Sequence, residues 1–341
     1  MKDLSETIRT KLLPQVRRPV QYIGMEVNAR CGDVDSADVA VVLAFPDAYT
    51  IGISHLGGQV LYHALNAIEG VACDRTYCPM PDAEELMRRE GIELFGWESR
   101  RAVRDFDVLG FSLAYEMCVT NVLTMLDLAG IPLHCERRGQ DDPIVVGGDA
   151  MADSPEPMAD FIDVFLPGDG EETFPQFVEL VGRMKPGGAS REDILEAAAR
   201  TIPSAYVPRF YRPRYHVDGT LAELAPVRDG LPESIQRARI RSLSNSPAIT
   251  APLVPLCEGV HERVTIEIMR GCPNACRFCQ AGATRLPVRS RSVEEVVRIA
   301  REAVDATGFD EISLLSLSTS DYPHLSLIHI SEPTRPLYIS Y

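Results

Sequence analysis

Short apolar runs and longer helical stretches take turns through the first half of the chain. After residue 38 the runs fall at 39–45 (VAVVLAF), 72–77, 108–112, 144–146 and 163–166. Helical stretches lie between them, around 56–68, 82–90, 115–128 and 171–184. Apolar strands of four to seven residues alternating with longer helices are the pattern of βαβ units, so residues 35–185 are expected to form an α/β, doubly wound parallel sheet of about five strands. Ligands on such sheets bind at the carboxyl ends of the strands, where glycine-rich loops allow close approach. Ahead of it, Leu4, Ile8 and Leu12 share one helical face and predict a short amphipathic helix within residues 1–20, ended by Pro14.

The second half is less even. Residues 186–262 read as a linker subdomain, with a capping-box-like helix start at Ser190–Asp193, extended segments around a turn at Asp218-Gly219, and a proline-rich arm over 246–255. From residue 263 the alternation resumes. A strand at 264–268 leads into a cysteine loop, Ser292 N-caps a helix running to about Thr307, Gly308 ends it, and a second strand spans 311–317. Strand, loop, helix, strand is the first unit of a β/α barrel, whose sites lie at the carboxyl ends of the strands. Residues 326–341 show neither helical nor strand period and carry two prolines where a barrel needs its second helix. That tail resembles a translated sequencing adapter. The expected organisation is an arm (1–20), an α/β domain (21–185), a linker subdomain (186–262), a truncated barrel start (263–325) and a non-native tail (326–341).

Composition bounds the setting. The 341 residues are 45% apolar and 24% charged, an ordinary globular balance with room for about two domains. No apolar run approaches the roughly 18 residues that suggest a membrane span, and the start lacks the apolar core of an export signal. A cytoplasmic protein is expected. Nine cysteines, an odd count with six in scattered positions, are no disulfide framework, so reduced thiols and a metal site are the better reading. The net charge of −15 argues against a general nucleic-acid binder. Arg237, Arg239 and Arg241, and Arg285, Arg289 and Arg291 near the cysteine loop, are the local basic groups that could meet an anion.

Cys272, Cys276 and Cys279 place three thiols within eight residues of one loop. Thiolates favour soft centres, iron–sulfur clusters and zinc above all. A closed zinc site or an electron-carrying cluster uses four ligands, so three suggest a position left open for chemistry. Zinc completed by Cys257 or His261 is the alternative, although neither stands in a paired C-x2-C or H-x3-H arrangement.

The spacing C-x3-C-x2-C, with Phe278 before the last cysteine, and the surrounding EIMRGCPNACRFCQAG resemble the radical S-adenosylmethionine (radical SAM) enzymes, in particular their cobalamin-domain-bearing branch. The resemblance implies that the three thiolates hold a 4Fe–4S cluster whose fourth iron is chelated by S-adenosylmethionine. One electron, from a reductant such as flavodoxin or ferredoxin, then gives methionine and a 5′-deoxyadenosyl radical. It further places Phe278 beside the adenine and Ser316, Ser318 and Thr319, in SLSTSD, near the amino group of S-adenosylmethionine. The barrel would be the partial one of that family, and a chain holding only its first unit would turn over little.

The strand ends of the first domain carry a second resemblance. Residues 53–58 (ISHLGG), 112–114 (SLA) and 147–148 (GG) are similar to the DxHxxG, SxL and GG elements of cobalamin-binding, Rossmann-type domains. His55, Gly58, Ser112, Gly147 and Gly148 match; Ile53 and Ala114 depart. Without the aspartate that orients a metal-bound histidine, His55 is not expected to ligate cobalt from below, and a cobalamin site without that ligand remains. His55 and Ser112 also suit plain helix caps. Two other function classes stay open: a non-catalytic zinc or iron–sulfur module, and a methyl- or methylthiotransferase acting on RNA, against which the acidity counts.

Overall fold

Val39–Phe45 forms β1, buried along its whole length, as a run without a polar residue requires. The computed structural model describes residues 1–260, 262–331 and 338–340. In it β1 is joined by β2 (Val71–Tyr77), β3 (Val108–Ser112), β4 (Ile144–Gly148) and β5 (Val164–Phe165). The strands lie in the order β2-β1-β3-β4-β5, all parallel. The sheet is thus the doubly wound one expected, in flavodoxin-like order, with its switch point between β1 and β3. Helices Pro81–Glu90, Val119–Leu128 and Gly170–Met184 follow their strands, within a few residues of the expected limits. At the start, Leu4, Ile8 and Leu12 are buried on a short helical segment through Leu12, as their spacing predicts.

Two compact units make up the chain. The first contains Met1–Gly24, Cys31–Gly52 and Ala64–Arg239; the second contains Met25–Arg30, Ile53–His63 and Ile240–Tyr341. The stretch read as a linker over 186–262 is therefore divided, and its larger part belongs to the first unit. A buried carboxylate explains the attachment. Asp163, at the start of β5, takes Arg138 (2.8 Å) and Arg191 (2.5 Å) on one oxygen and Arg209 (3.3 Å) on the other. Its carboxylate also accepts the Val145 N–H. Arg191 opens the helix Arg191–Thr201, whose Ser190 forms the full capping box, so this knot ties the helix to the sheet. The backbone continues it: Phe165 pairs with Tyr206 antiparallel, and Ala238 bonds to Pro167 and Asp169. The segments around Asp218-Gly219 form a hairpin, β6 (Tyr211–Tyr215) and β7 (Leu221–Pro226).

In the second unit β8 (Val264–Glu267) is followed by β9 (Met269–Arg270), which pairs antiparallel with β10 (Arg289–Ser290). Next come the helix Val293–Thr307 and β11 (Glu311–Leu315), parallel to β8. Ser292 caps the helix through the Glu295 N–H, and Gly308 ends it with φ +75°. Val264, Ile266, Ile312 and Leu314 pack on Val296, Ile299 and Ala303 of the helix. β11 stops two residues before its expected end because Ser316 turns away into side-chain hydrogen bonds.

The tail departs from expectation. Leu325–Ser331 is helical, and Tyr338–Ser340 forms β12, parallel to β11. Leu325 and Ile328, three residues apart, lay one face of that helix on the core, a repeat too short to stand out as a period. Among the described residues no helix is long and apolar enough to cross a membrane.

Candidate active site

The cysteine loop is pinched at its base. Met269 pairs with Ser290 and Arg270 with Arg289, and the Arg291 N–H bonds the Ile268 carbonyl at 2.9 Å, so residues 271–288 leave the sheet as one closed excursion. Gly271 starts it at φ +90°. A Cβ there would lie 2.5 Å from the Arg285 carbonyl oxygen and 3.0 Å from that of Pro287, so only glycine fits. Farther on, the Cys279 N–H bonds the Cys276 carbonyl at 3.1 Å, and a helical turn spans Ala281–Thr284.

Cys272 is half-buried, Cys276 and Cys279 are exposed, and all three are free thiols. Cys276 and Cys279 are the exposed ones among the nine, while Cys272 shares its partial burial with Cys31, Cys78, Cys135 and Cys257. Burial pushes the Cys73 and Cys118 thiols up and that of Cys78 up to about 12, which leaves them as inert packing groups. Among the described residues, no three His, Cys, Asp or Glu side chains are gathered closely enough to hold a single metal ion. A four-iron cubane asks for something else, one thiolate on each of three irons, so its ligands do not meet at a point. His261, offered as a zinc ligand, lies outside the described residues.

The end of β11 approaches this loop through side chains. Asn274 Nδ2 lies 2.7 Å from Asp321 Oδ2, 3.3 Å from Ser318 Oγ and 3.7 Å from Cys272 Sγ. Ser318 Oγ donates to the same Asp321 oxygen at 2.7 Å, and Ser316 Oγ lies 3.0 Å from Thr319 Oγ1. Of the residues expected at this strand end, Ser318 is therefore joined to the cysteine loop, while Ser316 and Thr319 close the turn behind it. Phe278 stands 93% exposed, clear of them all. Asn274 and Asp321 carry the junction and were not singled out in the sequence; a polar pair 47 residues apart leaves no local pattern.

The nearby arginines are otherwise engaged. Arg289 is buried and donates to the Ile240 carbonyl at 2.9 Å, and Arg291, also buried, donates to the Glu267 carbonyl and pairs with Glu295. In the first unit Arg237 pairs with Asp153. These contacts tie all three to the fold.

At the first sheet, Ser112 and Gly148 are register partners at the carboxyl ends of β3 and β4, and the Leu113 N–H bonds the Gly148 carbonyl. The two glycines do different work. A Cβ on Gly147 would press within 3.0 Å of Leu113 and Phe165, whereas one on Gly148 would meet nothing within 4 Å. Beside them Tyr115 donates to Asp47, which follows β1, across the switch point. Burial and that carboxylate push the Tyr115 phenol up to about 12. His55 and Gly58 lie in the stretch Ile53–His63, which belongs to the second unit. There His55 Nδ1 accepts the Gly58 N–H at 3.1 Å and caps the helix Leu56–Leu65.

Family models agree with the cysteine loop and its neighbours. Residues 266–336 match the radical SAM superfamily, and residues 57–208 match the N-terminal region of radical SAM proteins. The chain carries radical SAM domains. It is 22% identical over 287 residues to the uncharacterized protein MJ0966 of Methanocaldococcus jannaschii, covering 84% of this chain and 50% of that one. Over 89 residues it is 35% identical to the threonylcarbamoyladenosine tRNA methylthiotransferase MtaB of Bacillus subtilis, covering 26% of this chain and 18% of that one. Among solved structures, the radical SAM methyltransferase TsrM of Kitasatospora setae aligns with a TM-score of 0.49 at 16% identity, covering 87% of this chain and 52% of that one. The chain thus spans half the length of the archaeal relative.

Proposed function

We propose that this chain serves a radical SAM enzyme in which Cys272, Cys276 and Cys279 hold a 4Fe–4S cluster. The observation that carries the reading is three free thiols on one closed loop after the first strand of a parallel pair, tied by Asn274 to the end of the second. When bound, the cluster would supply one electron for reductive cleavage of S-adenosylmethionine to methionine and a 5′-deoxyadenosyl radical. Phe278 offers an uncovered ring for adenine, and the turn Ser316–Thr319 offers hydroxyls for the polar end of the cofactor. A low-potential reductant of the flavodoxin or ferredoxin kind and a reducing, cytoplasmic setting accompany this reading, in keeping with the unbridged thiols of Cys272, Cys276 and Cys279.

Anaerobic reconstitution with iron and sulfide tests it. Sulfide-dependent visible absorbance, a paramagnetic signal after dithionite reduction and release of 5′-deoxyadenosine are expected, and all are lost in Cys276→Ala. Equal iron and sulfide in that variant and the parent would end the proposal.

A corrin on the first unit is the second element. The β1/β3 switch point, the open approach over Gly148 and the adjoining Ser112 support it. His55, committed to its helix cap, is not needed as a lower ligand. For the substrate, a tRNA is what MtaB is named for; the net charge of −15 weighs against carrying that over.

A further inference from the structure

We propose that Asn274 is a positioning residue for the metal centre, setting the electron affinity of a cluster held by Cys272. This rests on the radical SAM reading above and goes beyond it, since that reading uses Asn274 only as the tie between the loop and the end of β11. The amide nitrogen of Asn274 carries two protons and faces three acceptors: Asp321 Oδ2 at 2.7 Å, Ser318 Oγ at 3.3 Å and Cys272 Sγ at 3.7 Å. The charged oxygen takes the first proton and fixes the plane of the amide. The second is then left to Ser318 and the sulfur, and Ser318 has its own proton committed to the same Asp321 oxygen at 2.7 Å. Asp321 therefore acts as an anchor that aims an N–H at Cys272.

Sulfur-directed hydrogen bonds are one of the levers by which a protein sets the potential of an iron–sulfur cluster. Adding one electron makes the cluster and its thiolates more negative, so a donor at Sγ favours the reduced form. Removing the donor makes reduction harder. The contact uses one cysteine of three, so the effect on potential is separable from ligation, which the other two thiols and Cys272 itself still provide.

The test compares the parent, Asn274→Ala and Asn274→Leu, each as the full chain reconstituted anaerobically with iron and sulfide and titrated with dithionite against redox mediators. Asn274→Ala is expected to keep the parent's iron and sulfide. At a fixed poise its ratio of reduced to oxidised cluster is expected to fall about tenfold, equivalent to about 59 mV for one electron. Asn274→Leu, close to the native residue in size and without a donor, is expected to shift the ratio in the same direction by a similar factor. An unchanged potential in a fully loaded Asn274→Ala protein overturns the inference while leaving the radical SAM reading intact. Should Asn274→Ala fail to load, the Asn274→Leu potential decides, and no shift there overturns it. A parent that takes up neither iron nor sulfide removes both readings, so the parent's iron content tells the two failures apart.

Discussion

At the carboxyl end of β4 the chain offers bare backbone; after β8 it offers three thiols. Both places obey the rule that parallel strands deliver their sites at one end, yet they are built from opposite materials. Gly148 contributes open space, with Ser112 beside it. The loop after β8 contributes nucleophilic sulfur, and it reaches that shape through a glycine where a side chain cannot exist, Gly271. One glycine keeps room for a visitor and the other lets the chain pass its own carbonyls. The type of residue is the same, and only the surroundings say which purpose it serves.

The largest expected effect falls on the framework beneath the first of these regions. Asp163→Ala would leave Arg138, Arg191 and Arg209 without their shared carboxylate, and loss of one member of a buried ionic network costs about 3–5 kcal/mol. Urea denaturation of the full chain measures it, and a loss below 1 kcal/mol would mean that the knot does not hold the helix Arg191–Thr201 to the sheet.

The glycines come next and set the comparison against itself. Gly271→Ala is expected to cost about 1–3 kcal/mol of local strain, read as faster iron loss to a chelator. Gly148→Ala should stay within about 0.5 kcal/mol of the parent in denaturation. The bulkier Gly148→Leu should fold as well but lose hydroxocobalamin uptake by the full chain. Corrin binding equal to the parent's in that variant would break the cobalamin half of the comparison.

The smallest effect is a matter of pH. The Tyr115 phenol is raised from its ordinary value of 10.0 to about 12, so the folded chain keeps this proton where the unfolded chain has released it. Its contribution to stability is complete below pH 10 and fades as pH rises from about 10 to about 12. A spectrophotometric titration of the parent minus Tyr115→Phe should show one late phenolate, and a midpoint near 10 would remove the Tyr115–Asp47 contact as an element of the switch point.

Much of this was readable before any coordinates, and the limits have physical causes. β1 and β3 began and ended where their apolar runs did, because strands buried on both faces carry no polar interruption. The thiol triplet was legible because its meaning lies in spacing within one loop. Asp163 was not, since its three arginines arrive from 25, 28 and 46 residues away and each alone looks like surface charge. The same distance hid Asn274 from Asp321. His55 was ambiguous for a different reason: a histidine before a helix satisfies a capping rule and a ligand motif equally, and its hydrogen bond to Gly58 meets the first.

Only two rungs of ladder and one further backbone bond close the neck of the cysteine loop, while Ile312 and Leu314 are locked in the core below. Such a neck can breathe without disturbing the sheet, so amide exchange in residues 271–288 should outpace that of β11 by orders of magnitude in the metal-free chain. A cofactor clipped across three of its thiols would then act as a staple, and its affinity would appear as protection of that one segment rather than as a higher melting point for the whole chain.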